Sequence, residues 1–251
     1  MIELTMLGTG CGISKKYDNN NALFNLNGYR LLVDCGSTAH RSLHAMGMAW
    51  QNDIDGILIT HIHADHVGGL EEVALNGLYN YNKRVDLFVA RELVVPLWEH
   101  SLKGGVGDPV HDTLSDFFHV KELDDTPFEI NGIKLQLIET LHIPGRKSYS
   151  LLVDEFFYSS DVQFDEELVK SVNERVKLIF HDCLMEKSPV HASLSDLLTL
   201  SDEIQEKTWI MHYSDDLDQY RENNRLGKLN VLEQHKTYRL KNNAYPEEAF
   251  Q

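Results

Sequence analysis

Cysteine, basic residues and long apolar runs are all scarce in this sequence. Among 251 residues there are three cysteines, Cys11, Cys35 and Cys183, and no two of them form a CxxC pair. This odd, scattered set argues against a disulfide framework and against a thiolate zinc site. No stretch approaches the roughly 20 apolar residues that a membrane-spanning helix needs. The first residues lack the basic region and apolar run of a secretory signal, so we expect a cytoplasmic protein without a membrane partner, in the host cytoplasm if the gene is viral.

The shortage of basic residues excludes one class of function. There are 23 Lys and Arg against 39 Asp and Glu, which gives a formal net charge of −16 at pH 7. A protein that grips a nucleic-acid polymer by neutralising its phosphates needs a basic face, and this chain would have to build one against its own field. We therefore expect no polymeric nucleic-acid partner. A small anionic substrate remains compatible with the net charge if a local, positively charged site binds it.

The order of apolar patterns predicts an α/β fold. Apolar residues make up 42% and charged residues 25% of the chain, as in ordinary soluble globular domains, so disorder is not expected. We expect strands within 2–7, 22–36, 55–60, 85–90, 118–123, 127–140, 148–161, 177–182 and 208–212, and helices within 69–82, 91–103, 165–176 and 193–208. Two sheets stacked face to face with helices outside accommodate this order, and no linker divides residues 1–251, which we expect to form a single domain.

Glycine marks the expected turns and loops. Asn-Gly pairs at 27–28 and 131–132 supply the turn chemistry of hairpins. The run GTGCG at 8–12 lacks the spacing of a GxGxxG phosphate cradle and a following helix, so we interpret it as a turn. The glycine-rich polar segment 104–114 is predicted to be a mobile loop.

The strongest local signal is the run HIHADH at residues 61–66. It follows an apolar strand pattern and precedes a turn closed by Gly68 and Gly69. Four ligand-type side chains within six residues cannot all face one ion from a strand or a helix, but a tight loop can aim them at two adjacent ions. Imidazole nitrogen with carboxylate oxygen suits zinc, with manganese or iron as alternatives. The other interpretation is a histidine-rich surface loop. That interpretation gives no reason for the buried strand that leads into the run.

Two ions need more ligands than this loop supplies. Three candidates follow other strand patterns, namely His142, Asp161 and His212. A single histidine at a strand end is more often a structural group than a ligand, but three ligand-type residues at successive strand ends favour a metal centre.

The HIHADH run followed by separate His, Asp and His residues resembles the metallo-β-lactamase superfamily. The resemblance covers nearly the whole chain and implies an αββα sandwich, with two mixed β-sheets flanked by helices and a two-metal site at one edge. It implies two divalent ions, Zn²⁺ first and Mn²⁺ as the alternative. Carried over position by position, it assigns His61, His63 and His142 to one ion, Asp65, His66 and His212 to the other, and Asp161 to both.

Within that superfamily, the opening LGTGCGI, the Asp34-Cys35-Gly36 turn and the later HASLSDL resemble the RNase Z branch. The resemblance implies that Asp65 shares the proton of an attacking water and that His191 donates a proton and contacts phosphate. A capping or surface histidine is the alternative for His191. The branch has Glu where this chain has Tyr158, which weakens a direct transfer of the tRNA mechanism. For Asp182, orientation of a ligand imidazole and plain strand-end packing both remain open.

The chain lacks one feature of the tRNA endonucleases, and the substrate is implied by its resemblance to other members of the branch. The tRNA endonucleases of this branch carry a basic, glycine-rich arm, and none is found here. The chain is most similar to the compact anti-Pycsar phosphodiesterases, which implies hydrolysis of cyclic mononucleotides (cCMP, cUMP, also cAMP and cGMP) to 5′-nucleotides. It also implies a homodimer, in which a loop carrying His111 could close over the partner's pocket. Ser148 and Tyr149 are candidate phosphate contacts, although Tyr149 could simply begin a strand.

Other functions stay open from the sequence alone. An RNase Z-like tRNA 3′ endonuclease or a lactone or thioester hydrolase would use the same seven ligand positions. A non-enzymatic cyclic-nucleotide sponge is disfavoured because no ligand position is missing. A flavodiiron oxygen reductase is disfavoured because its motif carries Glu where His63 stands.

Overall fold

The computed structural model describes residues 1–240 and the backbone of 247–248. The strands are β1 (Ile2–Gly8), β2 (Asn21–Leu26), β3 (Tyr29–Val33), β4 (Gly56–Ile59), β5 (Asp86–Ala90), β6 (His119–Leu123), β7 (Phe128–Ile130), β8 (Ile133–Glu139), β9 (Tyr149–Val153), β10 (Phe156–Tyr158), β11 (Leu178–Asp182), β12 (Thr208–Met211), β13 (Asn230–Val231), β14 (Thr237–Leu240) and β15 (Glu247–Glu248). The helices are α1 (Ala39–Ala45), α2 (Trp50–Asp53), α3 (Ala64–Val67), α4 (Leu70–Asn76), α5 (Arg91–Leu97), α6 (Lys103–Val106), α7 (Leu114–Phe117), α8 (Glu166–Asn173), α9 (Leu194–Leu197), α10 (Asp202–Lys207) and α11 (Leu217–Glu222). π-Helical turns at Gly77–Tyr81 and Trp98–Leu102 extend α4 and α5.

The strands form two mixed sheets. The order is β15-β14-β1-β2-β3-β4-β5-β6 in the first sheet and β13-β12-β11-β10-β9-β8-β7 in the second. Strands β3 to β6 run parallel, as do β10 to β13. Helices join these parallel strands, because parallel neighbours need a crossover connection. Two antiparallel hairpins, β2–β3 and β7–β8, turn at the predicted Asn-Gly pairs, where both residues adopt positive φ.

Burial explains the layering. One apolar core lies between the two sheets and continues beneath α1, α4 and α5 on the outer face of the first sheet. A second core packs α8, α9, α10 and α11 against the outer face of the second sheet. The order of layers is thus helix, sheet, sheet, helix, which confirms the αββα expectation. All three cysteines are buried and free.

Two segments differ from the sequence-based expectation. Residues 103–106 and 114–117 are helical within or beside the predicted loop 104–114, because Val106 and Leu114 are buried and anchor short turns there. The predicted helix over 193–208 is divided into α9 and α10, since Ser201 leaves the helical region at ψ 153°. No helix in the described part of the chain combines the length and the apolar character needed to cross a bilayer.

Candidate metal centre

The polar side chains of interest lie where strands end. Asp34 follows β3, Asp161 follows β10, and His212 follows β12. β3 belongs to the first sheet and β10 and β12 belong to the second, so these residues come together where strand ends of the two stacked sheets adjoin. Asp34 and His212 are buried and adopt positive φ, at 63° and 57°. Left-handed backbone at non-glycine residues costs free energy and persists only where the surroundings enforce it, so this edge is a strained position in the fold.

The HIHADH run begins in the short turn after β4 and continues into α3. Its first imidazole, His61, is buried directly beyond the strand, and His66 is buried within the short helix. The Cys35 backbone N–H donates to the His66 carbonyl at 2.7 Å. A Cβ on Gly36 would lie 1.9 Å from the Asp65 carbonyl oxygen, so only glycine permits the loop to pack this closely against the Asp34-Cys35-Gly36 turn.

Seven predicted ligand residues converge in two clusters. Within each cluster, the donor atoms lie within 4.8 Å of one another. The first cluster is His61, His63, His142 and Asp161, and the second is Asp65, His66, Asp161 and His212. Asp161 is common to both, as the resemblance implies for the residue that serves both ions.

The spacing of these donor atoms fits metal ligands. Asp161 Oδ1 lies 3.3 Å from His66 Nε2, and Asp161 Oδ2 lies 3.3 Å from His212 Nε2 and 3.7 Å from His61 Nε2. A tetrahedral site with zinc bonds of about 2.0–2.2 Å has donor–donor edges of about 3.4 Å. His66 Nε2, His212 Nε2 and Asp161 Oδ1 are also buried without a hydrogen-bond partner. Buried polar atoms are rarely left unpaired, so a divalent cation fits this donor set.

In four of the ligand imidazoles, the second nitrogen faces a polar atom of the protein. His66 Nδ1 faces Asp34 Oδ2 at 2.7 Å, and His142 Nδ1 donates to the Val190 carbonyl at 2.7 Å. His61 Nδ1 lies 3.1 Å from Thr60 Oγ1, and His212 Nδ1 lies 3.2 Å from Asp182 Oδ1. These contacts leave Nε2 directed at the clusters. Such outer contacts fix the orientation of metal-binding histidines.

Electrostatics act differently on the individual ligand residues. Burial, with His66 as a neighbour, lowers the pKa of His61 well below its usual value. Burial opposes ionisation of Asp161, but the imidazoles of His212 and His66 hold the pKa of its carboxyl well below its usual range. Burial opposes the charge on His66 and His212 as well, but neighbouring carboxylates, Asp161 first, raise the pKa of both imidazoles well above the usual value. A metal ion would therefore displace protons from these two imidazoles, whereas His61 is already neutral.

Asp34 and Asp182 are the contacts that sequence reasoning undervalued. Asp34 accepts hydrogen bonds from the backbone N–H of Thr60 at 2.9 Å and from its hydroxyl at 2.8 Å, besides its contact with His66. Asp182 Oδ2 accepts from the Val162 N–H at 3.0 Å and lies 2.8 Å from His191 Nδ1. The available signal was an acidic residue at the end of an apolar strand in LLVD and LIFHD.

The tyrosine that replaces the branch's glutamate is not in the cavity. Tyr158 is fully buried against Phe24, and its hydroxyl accepts a hydrogen bond from Asn20 Nδ2 at 3.1 Å. The carboxylate beside His191 belongs instead to Asp182 on β11. In this chain, Asp182 thus lies next to His191, and the residue at the position of the branch's glutamate does not.

A cavity of about 730 Å³ opens over the clusters. His63, Asp65, Asp161 and His212 lie at its floor, with His191 beside them. Its wall is formed by two stretches, 11–14 and 214–216, and by the side chains Ile143, Leu184, Glu186, Lys187 and Val190. The cavity has the size range of small-ligand sites.

Three predicted substrate contacts lie outside this cavity's lining. Ser148 is buried and donates to the Thr140 carbonyl at 2.6 Å, and the Tyr149 hydroxyl donates to Glu92 at 3.2 Å. His111 Nδ1 lies 3.0 Å from Asp108 Oδ2 on its own loop. Their roles in substrate binding stay predictions.

Comparisons with known proteins agree with this architecture. The family model described as Anti-Pycsar protein Apyc1 matches residues 2–238. A protein of that name from Paenibacillus harenae is 46% identical over 244 residues, covering 95% of this chain and 100% of its own, and one from Bacillus phage 010DV004 is 43% identical over 237 residues, covering 87% and 91%. The solved structure of the metallo-β-lactamase fold protein YhfI from Bacillus subtilis aligns with TM-score 0.69 at 16% identity, covering 94% of this chain and 98% of that one.

Proposed function

This chain belongs to the Anti-Pycsar protein Apyc1 family, and from that premise we propose that it is a metal-dependent phosphodiesterase acting on cyclic mononucleotides. The proposed substrates are cyclic CMP and cyclic UMP, together with cyclic AMP and cyclic GMP, and the products are 5′-nucleotides. In a cell, this activity would counteract antiphage signalling by cyclic nucleotides.

The observation that carries the proposal is the pair of ligand clusters that share Asp161 at the floor of the cavity. Two divalent ions held there, Zn²⁺ in our proposal, would lower the pKa of a water molecule and neutralise charge on a phosphoryl group. Every donor atom that such a centre needs is present within the described chain.

The proton transfers fall to Asp65, within the second cluster, and to His191 beside it. Both imidazole contacts of Asp65 use Oδ2, at 3.3 Å from His66 and 3.7 Å from His212, which leaves Oδ1 to accept the proton of the attacking water. As the water oxygen bonds to phosphorus, the bond to the 3′ oxygen breaks. His191 would act in its doubly protonated form: Nδ1–H donates to Asp182, and the proton on Nε2 passes to the 3′ oxygen, which leaves a neutral imidazole.

The choice of a small substrate rests on charge and shape. The net charge of −16 opposes a long contact with a phosphate polymer. A cavity of about 730 Å³ is of the size that encloses one small ligand rather than a strand.

A panel of cyclic mononucleotides, incubated with protein reconstituted with Zn²⁺ or Mn²⁺ and analysed by mass spectrometry, tests the proposal. We expect linear 5′-nucleotides from cyclic CMP and cyclic UMP, and no turnover after chelation. Intact cyclic nucleotide bound stoichiometrically would instead identify a sponge. The same preparations with a precursor tRNA and with homoserine lactone cover the two alternative hydrolase activities, and turnover of either in place of the cyclic nucleotides contradicts the proposal.

We also propose that the protein is a homodimer, as the resemblance implies. Sedimentation equilibrium on the full chain tests this directly. Shortening the loop by deleting Gly104 to Asp108 tests whether this segment, together with His111, closes the partner's cavity, because turnover should then fall without loss of bound metal.

A further inference from the structure

Residues 11–14 line the cavity and pass close to the second cluster. A Cβ on Gly12 would lie 2.7 Å from Asp65 Oδ2, so the backbone passes against this carboxylate more closely than a side chain would permit. The next Cα, that of Ile13, is one step of about 3.8 Å along the chain. Ile13 lines the cavity, yet it is 84% exposed. The aliphatic side chain of Ile13 is thus exposed to solvent, and its neighbour in the chain, Gly12, lies against Asp65.

The segment 11–16 is held by the neighbouring stretch that contains Asp215 and Asp218. Asp215 accepts hydrogen bonds from the Lys15 backbone N–H at 3.0 Å, the Lys16 backbone N–H at 3.0 Å and the Ser14 hydroxyl. Lys16 also forms an ion pair with Asp218. Three donors on consecutive residues fix the backbone immediately after Ile13. The exposed position of Ile13 is therefore imposed by the fold.

The rest of the cavity wall is suited to a flat apolar group. Ile143, Leu184 and Val190 line it and are each half-buried. Phe, Tyr and Trp are absent from the lining among residues 1–240. A planar ring in this cavity would consequently contact aliphatic side chains rather than stack on an aromatic one. In a nucleotide with its phosphate at the clusters, a single ribose separates that phosphate from such a ring.

We propose that Ile13 packs against the nucleobase of the substrate and sets how much the base contributes to binding, with Asp215 as the positioning residue that holds the Ile13 backbone in place. The inference rests on the proposed function and adds a specificity-determining residue to it. Binding of the substrate would bury Ile13 against the base and remove apolar surface from water. A base-free substrate would lack this contribution to the binding free energy.

Kinetics with base-bearing and base-free substrates test this directly. The probes are cyclic CMP, cyclic AMP and 1-O-methylribose 3′,5′-cyclic phosphate, all with zinc-reconstituted protein. For Ile13→Ser we expect KM for both nucleotides to rise about tenfold, the scale of losing a few methylenes from an apolar contact. Values of kcat, and KM for the base-free probe, should stay unchanged. Ile13→Val should behave like the wild type, as should the control Val95→Ser, which changes an exposed aliphatic residue on α5.

The Asp215 variants separate positioning from simple stability. Asp215→Ala should raise KM for the nucleotides but not for the base-free probe, because the segment loses its three donor contacts. Asp215→Asn keeps an acceptor oxygen and should restore part of the loss. A general loss of folding would lower turnover of all three probes together.

Several outcomes would overturn the inference. An equal rise of KM for all three probes would place Ile13 away from the base, and unchanged KM for the nucleotides would show that it makes no contact. A change in sedimentation mass for Ile13→Ser with unchanged KM would assign the residue to a subunit contact instead. Failure of the wild type to cleave any cyclic nucleotide would reject the proposed function itself, whereas the other outcomes reject only the role of Ile13.

Discussion

Single carboxylates outside the two clusters govern the orientation of the imidazoles inside them. Asp34 is one such carboxylate: its Oδ2 lies 2.7 Å from His66 Nδ1, and it also accepts hydrogen bonds from Thr60 and Ser160. A histidine held through Nδ1 can present only Nε2 to an ion, in one direction. We therefore expect the affinity for metal to depend on residues that do not themselves contact the ion.

The first prediction concerns Asp34→Asn. This variant keeps the shape and one acceptor oxygen but loses the charge that faces His66, and we expect metal affinity to fall about 10- to 100-fold. Competition with a zinc-binding dye measures the affinity. Asp154→Asn is the matched control, because Asp154 is exposed and also has positive φ, at 53°. Equal affinities for the two variants would show that the contact with His66 has no effect.

The second prediction concerns the proton donor. His191→Ala should lower kcat for cyclic CMP by about 10²- to 10³-fold while leaving the metal content unchanged. A p-nitrophenyl diester should lose much less, because nitrophenolate leaves without a proton. The control His119→Ala changes an exposed histidine on β6. If both substrates lost activity equally, His191 would have to act by binding and not by donating a proton.

At the scale of elements, α9 fixes the loop that carries His191. Ser193 caps this helix: its hydroxyl accepts from the Asp196 N–H at 3.3 Å, while its own N–H donates to Asp196 Oδ2 at 3.0 Å. Leu194 and Leu197 are buried beneath the helix. A four-residue helix has little stability of its own, so the cap and these two contacts hold it.

Ser193→Ala should lower the free energy of unfolding by about 1 kcal/mol, the usual cost of losing such a cap. Urea denaturation of the metal-free protein measures this. Ser171→Ala in α8, at an exposed helical position, should leave stability equal or slightly higher. A comparable loss in both variants would mean that the serine hydroxyl of Ser193 contributes nothing as a cap.

Some boundaries of helices and strands can be predicted from local sequence, and others cannot. The Asn-Gly hairpins were predictable because positive φ at both turn residues is a local preference. The break between α9 and α10 was not, because nothing in the run around Ser201 interrupts the apolar helical period. Likewise, the turns α6 and α7 depend on Val106 and Leu114 entering a core built from distant strands.

At the scale of the whole molecule, charge acts against the approach of an anionic substrate. The net charge is −16, and two divalent ions would offset only a small part of it. The attraction is therefore confined to the cavity, while the far field repels. Salt screens the far field more strongly than contacts within the cavity.

We accordingly expect kcat/KM for cyclic CMP to rise by about twofold between 50 and 200 mM salt, since screening removes long-range repulsion. An enzyme with a basic face would show the opposite dependence. Initial rates in sodium chloride and in sodium acetate check that the effect is one of ionic strength. A fall in kcat/KM with either salt would contradict this expectation.

Metal removal gives the last prediction. The clusters exist in the folded chain and not in the unfolded one, so an ion at about 100 times its dissociation constant should stabilise the fold by about 2.7 kcal/mol. Calorimetry of chelated and Zn²⁺-loaded protein should show a higher melting temperature for the loaded form. His66→Ala removes a donor from the second cluster and should reduce that increase; an identical increase would indicate binding elsewhere.

The sequence by itself determined which residues could meet at the metal centre. A run such as HIHADH fixes its own spacing, and ligand-type residues after apolar strands share an edge in any layered α/β fold. Only the tertiary structure decided what surrounds them. It placed Asp182 rather than Tyr158 beside His191, directed the hydroxyls of Ser148 and Tyr149 to other partners, and exposed Ile13. Those outcomes depend on contacts between distant strands, and no local pattern encodes such contacts.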